Sequence, residues 1–277
     1  MRFDRMTRWL AGAVPMAALL VLAGCAASLP PMDGPQGMAL YQQLIGPKRS
    51  RSVETLFIML NGDGPPANRG DEDGFIRKLG ASVPKSAVVH LLRPGYGDAS
   101  GHRSPGDVPA ENGDQASTEA MMAVADTIGA IRSRYPNAET VLIGSGGGAA
   151  IIANLAGTRP QLLDGMVLIS CPCTLPEWRK LRARQSPGKG WDKPVEALDP
   201  LLTAGGVPPD MMAAIVTGAD DKELPPRFSR SYAEALALRG INTDLRILPG
   251  RTGSLIDDPQ VLEATQRMAA RLPRDAK

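Results

Sequence analysis

Six short, almost wholly apolar segments limit what this chain can become. They are "ETLFIML" from residue 54, "SAVVHLLR" from 86, "ETVLIG" from 139, "DGMVLIS" from 164, "DMMAAIVTG" from 210 and "TDLRILPG" from 243. Helical stretches separate them. "GDEDGFIRKLG" makes a short helix. A longer one opens near Ser117, with Met121, Ala125, Ile128 and Ile131 recurring on one face. "GGAAIIANLAG" follows, then a helix from about Pro226 to Leu238 and a last one from roughly Asp258 to Leu272. Strands this apolar must be covered on both faces, and their alternation with helices predicts an α/β fold with a mostly parallel sheet. At 277 residues the chain can bury a sizeable core. Aromatics make up only 4%, so Leu, Ile, Val, Ala and Met must fill it.

The first 24 residues stand apart from this pattern. Arg2, Arg5 and Arg8 precede an apolar run from Trp9 to Leu22, which leads into Leu22-Ala23-Gly24-Cys25. The run is short for a membrane span and ends in small residues, as a signal peptide does. The last four residues resemble a bacterial lipobox, which implies cleavage before Cys25 and a lipid on its sulfur. The alternatives are an ordinary signal peptide with an incidental cysteine, or a short anchor helix. Lipidation places the protein at the bacterial cell envelope, extracytoplasmic, and facing the periplasm if the cell is Gram-negative. Residues 25–52, rich in Pro, Gly and polar side chains, are expected to tether the lipid to a domain spanning 53–274. Within the tether, "MALYQQLIG" could be a short element docked on that domain.

Charge excludes one class of partner. The whole chain carries 31 basic and 29 acidic residues, and loss of the signal leaves 28 of each. A near-neutral protein offers no electrostatic footprint for nucleic acid. The expected partners are the bilayer, through Cys25, and a small-molecule ligand or an envelope protein. No cofactor and no metal are expected, because histidines are too few to make a ligand set. Cys171 and Cys173 are expected as two small thiols ending a strand. Export permits a disulfide, but one spanning i to i+2 closes a very small ring.

Five segments fall at the carboxyl ends of the expected strands, where open α/β sheets bind ligands. They are "LNGDGP" at 60–65, "RPGYGDASGHRS" at 93–104, "IGSGGG" at 143–148, "TGADDKELP" at 217–225 and "LPGRTGSL" at 248–255. Together they resemble the α/β-hydrolase family across nearly the whole mature domain. In that family the first segment supplies an oxyanion-hole N–H, the third is the nucleophile elbow, the fourth carries the acid and the fifth the histidine. The resemblance implies a mostly parallel sheet with helices on both faces. It also implies a small lid in the basic, turn-rich insertion at about 174–210, which could otherwise be a surface excursion without a role.

The same comparison exposes departures. With Ser145 as nucleophile, Ile143 would stand where the elbow wants glycine. With the motif running from Gly144 to Gly148, both flanking glycines are in place and the nucleophile position is Gly146. The second register fits better. The histidine position falls on Gly253, and Asn61 stands where the family has its first histidine. Asp221 matches the acid, with Asp220 its neighbour and rival. The chain has two histidines, His90 within a strand and His102 in the loop at the ligand-binding edge.

These residues support two functional readings, with a third in reserve. One is a catalytically degenerate hydrolase fold that binds a ligand or partner in a pocket. Asn61, Gly62, Asp63, Gly64, Gly146, Gly147, Gly253 and Asp221 would form that pocket, enlarged by Gly146 and Gly253. The alternative is an active esterase- or amidase-like serine hydrolase with Ser145 as nucleophile, Asp221 as acid and His102 as base. The third is a purely structural envelope protein with a vestigial pocket.

Overall fold

The computed structural model describes residues 39–107 and 116–273. The expected signal peptide, Cys25 and half of the expected tether lie outside the described residues. Seven strands form one sheet: β1 (Gln42–Ile45), β2 (Thr55–Leu60), β3 (Ser86–Leu91), β4 (Glu139–Ser145), β5 (Gly165–Ile169), β6 (Met212–Gly218) and β7 (Asn242–Leu248). Their order is β1-β3-β2-β4-β5-β6-β7, parallel except at β1. The six apolar segments read from the sequence are β2 to β7. The short element foreseen in the tether is β1, which pairs antiparallel with β3. This corrects the boundary at residue 53. Gln42–Ile45 belongs to the folded sheet, and Tyr135 Oη anchors the chain just after it by donating to the Pro47 carbonyl at 2.6 Å.

Helices α1 (Glu72–Ser82), α2 (Thr118–Arg132), α3 (Gly147–Thr158), α6 (Pro226–Leu238) and α7 (Pro259–Arg271) cover the sheet. Strand side chains alternate between the two layers. Leu56, Ile58 and Leu60 of β2 join a core with residues of α2, α3 and α6. Phe57 and Met59 join another with Phe75, Ile76 and Leu79 of α1 and Val261, Ala264 and Met268 of α7. Side-chain caps start three of these helices: Asp71 for α1, Ser117 for α2 and Asp258 for α7. Helix α3 starts on Gly146, which has no side chain to cap it.

The insertion between β5 and β6 is ordered. It holds α4 (Leu175–Gln185) and a single turn, α5 (Pro200–Thr203). Leu175, Trp178, Trp191 and Phe228 form a third apolar cluster that seats α4 beside the carboxyl ends of the strands. The second half of the insertion lies against α3, close enough that a Cβ on Gly157 would lie 2.0 Å from the Thr203 carbonyl oxygen.

One expectation fails at the start of this insertion. Cys171 and Cys173 are not free thiols. They form a disulfide with Cα atoms 5.1 Å apart, buried within the larger core. That separation lies within the ordinary disulfide range, because the chain turns sharply after β5 and brings residues i and i+2 face to face.

Candidate functional site

Strand β4 runs into α3 through a single-residue corner at Gly146. Its backbone, at φ 52 and ψ −120, lies in a region costly to any side chain. The glycines two before and two after are demanded by the strand–helix crossing. A Cβ on Gly144 would lie 2.6 Å from the Gly148 carbonyl carbon, and one on Gly148 would lie 2.7 Å from the Asn61 carbonyl oxygen. The corner therefore belongs to Gly146. Ser145 is the last residue of β4, half-buried, and its hydroxyl faces Gly62.

The loop after β2 closes over this corner. Asp63 Oδ2 accepts a 2.6 Å hydrogen bond from the Gly147 backbone N–H, the first free amide of α3. A Cβ on Gly146 would lie 2.5 Å from the same oxygen. The carboxylate thus fills the space a side chain at Gly146 would need. This corrects the expectation that Gly146 enlarges the pocket. The placement is favourable, because the positive end of a helix dipole and an unpaired N–H both draw an anion.

Arg93 holds the other side of Asp63. Its Nη2 donates to Asp63 Oδ1 at 2.8 Å and to the Gly62 carbonyl at 2.7 Å, and its guanidinium stands 4.1 Å from the Tyr96 ring centre. Arg93 is 1% exposed. Burial works against its charge, but Asp63, Tyr96 and Glu72 together outweigh burial and leave its pKa above the ordinary arginine value. Asn61 is fully buried beneath the cleft and does not line it. Its Oδ1 accepts from the Arg93 N–H at 2.8 Å and its Nδ2 donates to the Gly62 carbonyl. This corrects its expected place in the pocket: the short amide ties the loop to the β3 corner.

A second charged group lies under the same loop. The Gly62 N–H donates to Glu72 Oε1 at 2.9 Å. Glu72 Oε2 lies 3.5 Å from Arg69 Nε and 3.4 Å from His90 Nε2, and His90 Nδ1 lies 3.7 Å from Asp73 Oδ1. His90 is a core residue, 2% exposed, as its place in a strand predicts. Burial disfavours its charge, but Asp73 and Glu72 more than offset this and raise its pKa.

The cleft itself encloses about 470 Å³. Gly62, Asp63, Gly64, Ser145, Gly146, Asp221 and Gly253 line it. Asp221 Oδ1 accepts from the Glu223 and Leu224 N–H groups at 2.9 and 2.8 Å, and Oδ2 from the Gly253 N–H at 3.2 Å. The backbone of Gly253 thus meets the acid where the family places an imidazole. Asp220 is exposed and does not line the cleft, which separates it from its neighbour. Gly147 does not line the cleft either, since its N–H is covered by Asp63.

His102 is not at the cleft, which corrects its place as a candidate base. It stacks on Tyr41 with ring centres 4.5 Å apart, and its Nδ1 lies 2.8 Å from Asp98 Oδ2 in its own loop. The loop folds back on itself through Asp98, and the imidazole turns to β1's flank rather than to Ser145. Neither of the chain's two histidines lines the cleft.

Several lining residues were not visible from spacing. Arg69 and Ser254 come from loops after β2 and β7, and Ser254 Oγ donates to the Arg69 carbonyl at 2.7 Å. Ser170 directly follows β5 with φ 46, and its buried hydroxyl has no partner among the described residues. Trp178, Arg182 and Trp191 come from the insertion, which thus flanks the cleft. The one available signal was that basic, tryptophan-bearing insertion at a strand's carboxyl end.

No protein-family model matches this sequence, and no curated protein matches it. Solved structures do. The monoacylglycerol lipase of Paleococcus ferrophilus is 17% identical with TM-score 0.55, over 83% of this chain and 96% of that one. Est1E of Butyrivibrio proteoclasticus, solved with ferulic acid bound, is 14% identical with TM-score 0.63, over 84% and 95%. An esterase of Pyrococcus furiosus is 14% identical with TM-score 0.61, over 84% and 87%. With a mostly parallel sheet in this order, a glycine-cornered turn between β4 and α3, and these structural neighbours, the chain has the α/β-hydrolase fold.

Proposed function

We propose that this protein is a catalytically inert α/β-hydrolase-fold lipoprotein that binds a small ligand in its cleft. A lipid on Cys25 would hold it at the bacterial envelope, facing the periplasm in a Gram-negative cell. One observation carries the reading. The Asp63 carboxylate accepts the Gly147 N–H and occupies the space above Gly146. Acyl transfer on this fold needs a nucleophile at the elbow, an imidazole base, and backbone donors aimed at a developing oxyanion. Here glycine stands at the first position and at the second. The amide that follows the corner already binds an anion, so a negative transition state would meet a fixed carboxylate.

Ser145 does not replace the missing group. It precedes the corner, and no imidazole lines the cleft around it. Incubation with a fluorophosphonate probe, read by intact-protein mass, tests the proposal. No adduct is expected. Stoichiometric labelling at Ser145 that disappears in Ser145→Ala would overturn it and favour an active serine hydrolase.

A further inference from the structure

We propose that the cleft takes an organic cation, a primary ammonium or guanidinium group, with Asp221 as its counter-ion. This rests on the inert-binding reading and names its ligand class. The charged residues lining the cleft are Asp63, Arg69, Arg182, Asp221 and Glu223. Four of them are paired: Asp63 with Arg93 at 2.8 Å, Arg69 with Glu72 at 3.5 Å, and Arg182 with Glu223 at 3.1 Å. Asp221 makes no ion pair among the described residues. It is 7% exposed, so its charge is shielded from water, and only backbone amides answer it.

Those amides leave a vacancy. A carboxylate offers about four lone-pair sites. Oδ1 takes two short bonds, whereas Oδ2 takes a single longer one from Gly253. A Cβ on Gly253 would meet nothing within 4 Å, so space is open beside that residue.

Ser170 supplies an independent observation. It is 5% exposed, lines the same cleft, and its Oγ has no hydrogen-bond partner among the described residues. A buried hydroxyl left unpaired calls for a partner, and its φ of 46 is a conformation rarely kept without a role. An ammonium carries only donors, and Asp221 Oδ2, Ser170 Oγ and Ser145 Oγ can all accept. Trp178 and Trp191, with ring centres 5.0 Å apart and planes at 79°, add aromatic surface to the wall. Arg182 already stands 5.1 Å from the Trp191 ring, a position in which a cation gains from the ring face. An anionic ligand would find Arg69 and Arg182 in the same wall, but each already faces a carboxylate, whereas Asp221 has no counter-ion among the described residues.

Isothermal titration of the folded protein with benzylammonium, benzyl alcohol and benzoate tests this. Benzylammonium is expected to bind at least about tenfold more tightly than either isostere, with the preference lost in Asp221→Asn. Ser170→Ala should weaken the cation selectively. Equal binding of benzyl alcohol, tighter binding of benzoate, no binding of any of the three at millimolar concentration, or an unchanged preference in a folded Asp221→Asn would overturn the proposal. The wild-type series decides the matter even if that variant fails to fold. Each of those outcomes leaves catalytic inertness standing, whereas fluorophosphonate labelling of Ser145 removes the inert reading whatever the amine does.

Discussion

Asp63 reaches across 84 residues of sequence to place its carboxylate 2.6 Å from the Gly147 amide, so α3 is capped from another strand's loop. The same carboxylate neutralises Arg93, which is buried beneath it. One side chain therefore satisfies a helix terminus and a buried cation at once. The energetic consequence is testable. Asp63→Ala takes the acceptor from the Gly147 amide and the counter-ion from Arg93, and a loss of about 3 kcal/mol is expected, within the range for breaking a buried ion pair. Arg93→Met should also destabilise. The double variant should cost less than the sum, because removing both partners leaves no orphan charge. Urea unfolding of the four proteins checks this, and strict additivity would mean that the two side chains do not act as a pair.

The cluster under the loop makes stability depend on pH in a defined window. Burial opposes ionisation of Glu72, but His90, Arg69 and the Gly62 N–H outweigh it and hold its pKa below the ordinary 4.5. Asp73 is held below its ordinary 3.8, chiefly by His90. Their contribution is complete above those ordinary values and is lost as pH falls through the lower folded ones. His90 has the opposite sign. Its pKa is raised above 6.5, so its contribution is complete below 6.5 and is lost as pH rises through the higher folded value. The urea midpoint should therefore plateau between pH 4.5 and 6.5 and fall on both sides. In His90→Gln the fall above the plateau should shrink; a fall of unchanged size would assign it elsewhere.

What the sequence could disclose follows from how local each signal is. Strands β2 to β7 carry their own apolar runs, and the glycines of the elbow answer to a crossing within five residues of chain. Strand β1 shows in the sequence only as an unspecified element, because Gln-Gln-Leu-Ile is half-buried at a sheet edge and has no apolar run. Helix α4 was hidden by its polarity: of its residues only Leu175, Trp178 and Arg179 are buried. The open space at Gly253 could be foreseen, since it follows from one missing side chain. The filling of Gly146's space by Asp63 could not, since it depends on a contact between distant loops. His102 is a candidate by sequence because its loop leaves the ligand-binding edge, yet stacking on Tyr41 turns its ring elsewhere.

Thiol counting tests two statements together. Cys171 and Cys173 are joined, and the lipid expected on Cys25 would block its sulfur. Purified mature protein, denatured without reductant, should take up no alkylating reagent. After reduction it should take up two equivalents. One equivalent before reduction would show that Cys25 is unmodified, and three would show that the disulfide is absent as well.

If Asp63 is what keeps the Gly146 corner inert, as proposed, introducing a serine and a histidine at the two glycines alone should fail. In Gly146→Ser the new Cβ would lie 2.5 Å from Asp63 Oδ2. That variant should lose about 1–3 kcal/mol of stability, as for a side chain forced against a fixed neighbour. It should also remain unlabelled by fluorophosphonate. Adding Gly253→His places an imidazole beside Asp221, but the carboxylate still holds the Gly147 amide, so labelling should stay absent. Only with Asp63→Gly as a third change does the amide become free and the serine gain room. Because this change strands Arg93, each variant is first shown to be folded by its urea midpoint. Labelling is then expected in the triple variant alone. Its appearance in the double variant, with Asp63 intact, would mean that the carboxylate yields to an incoming ligand and that glycine at two positions is the whole of the block.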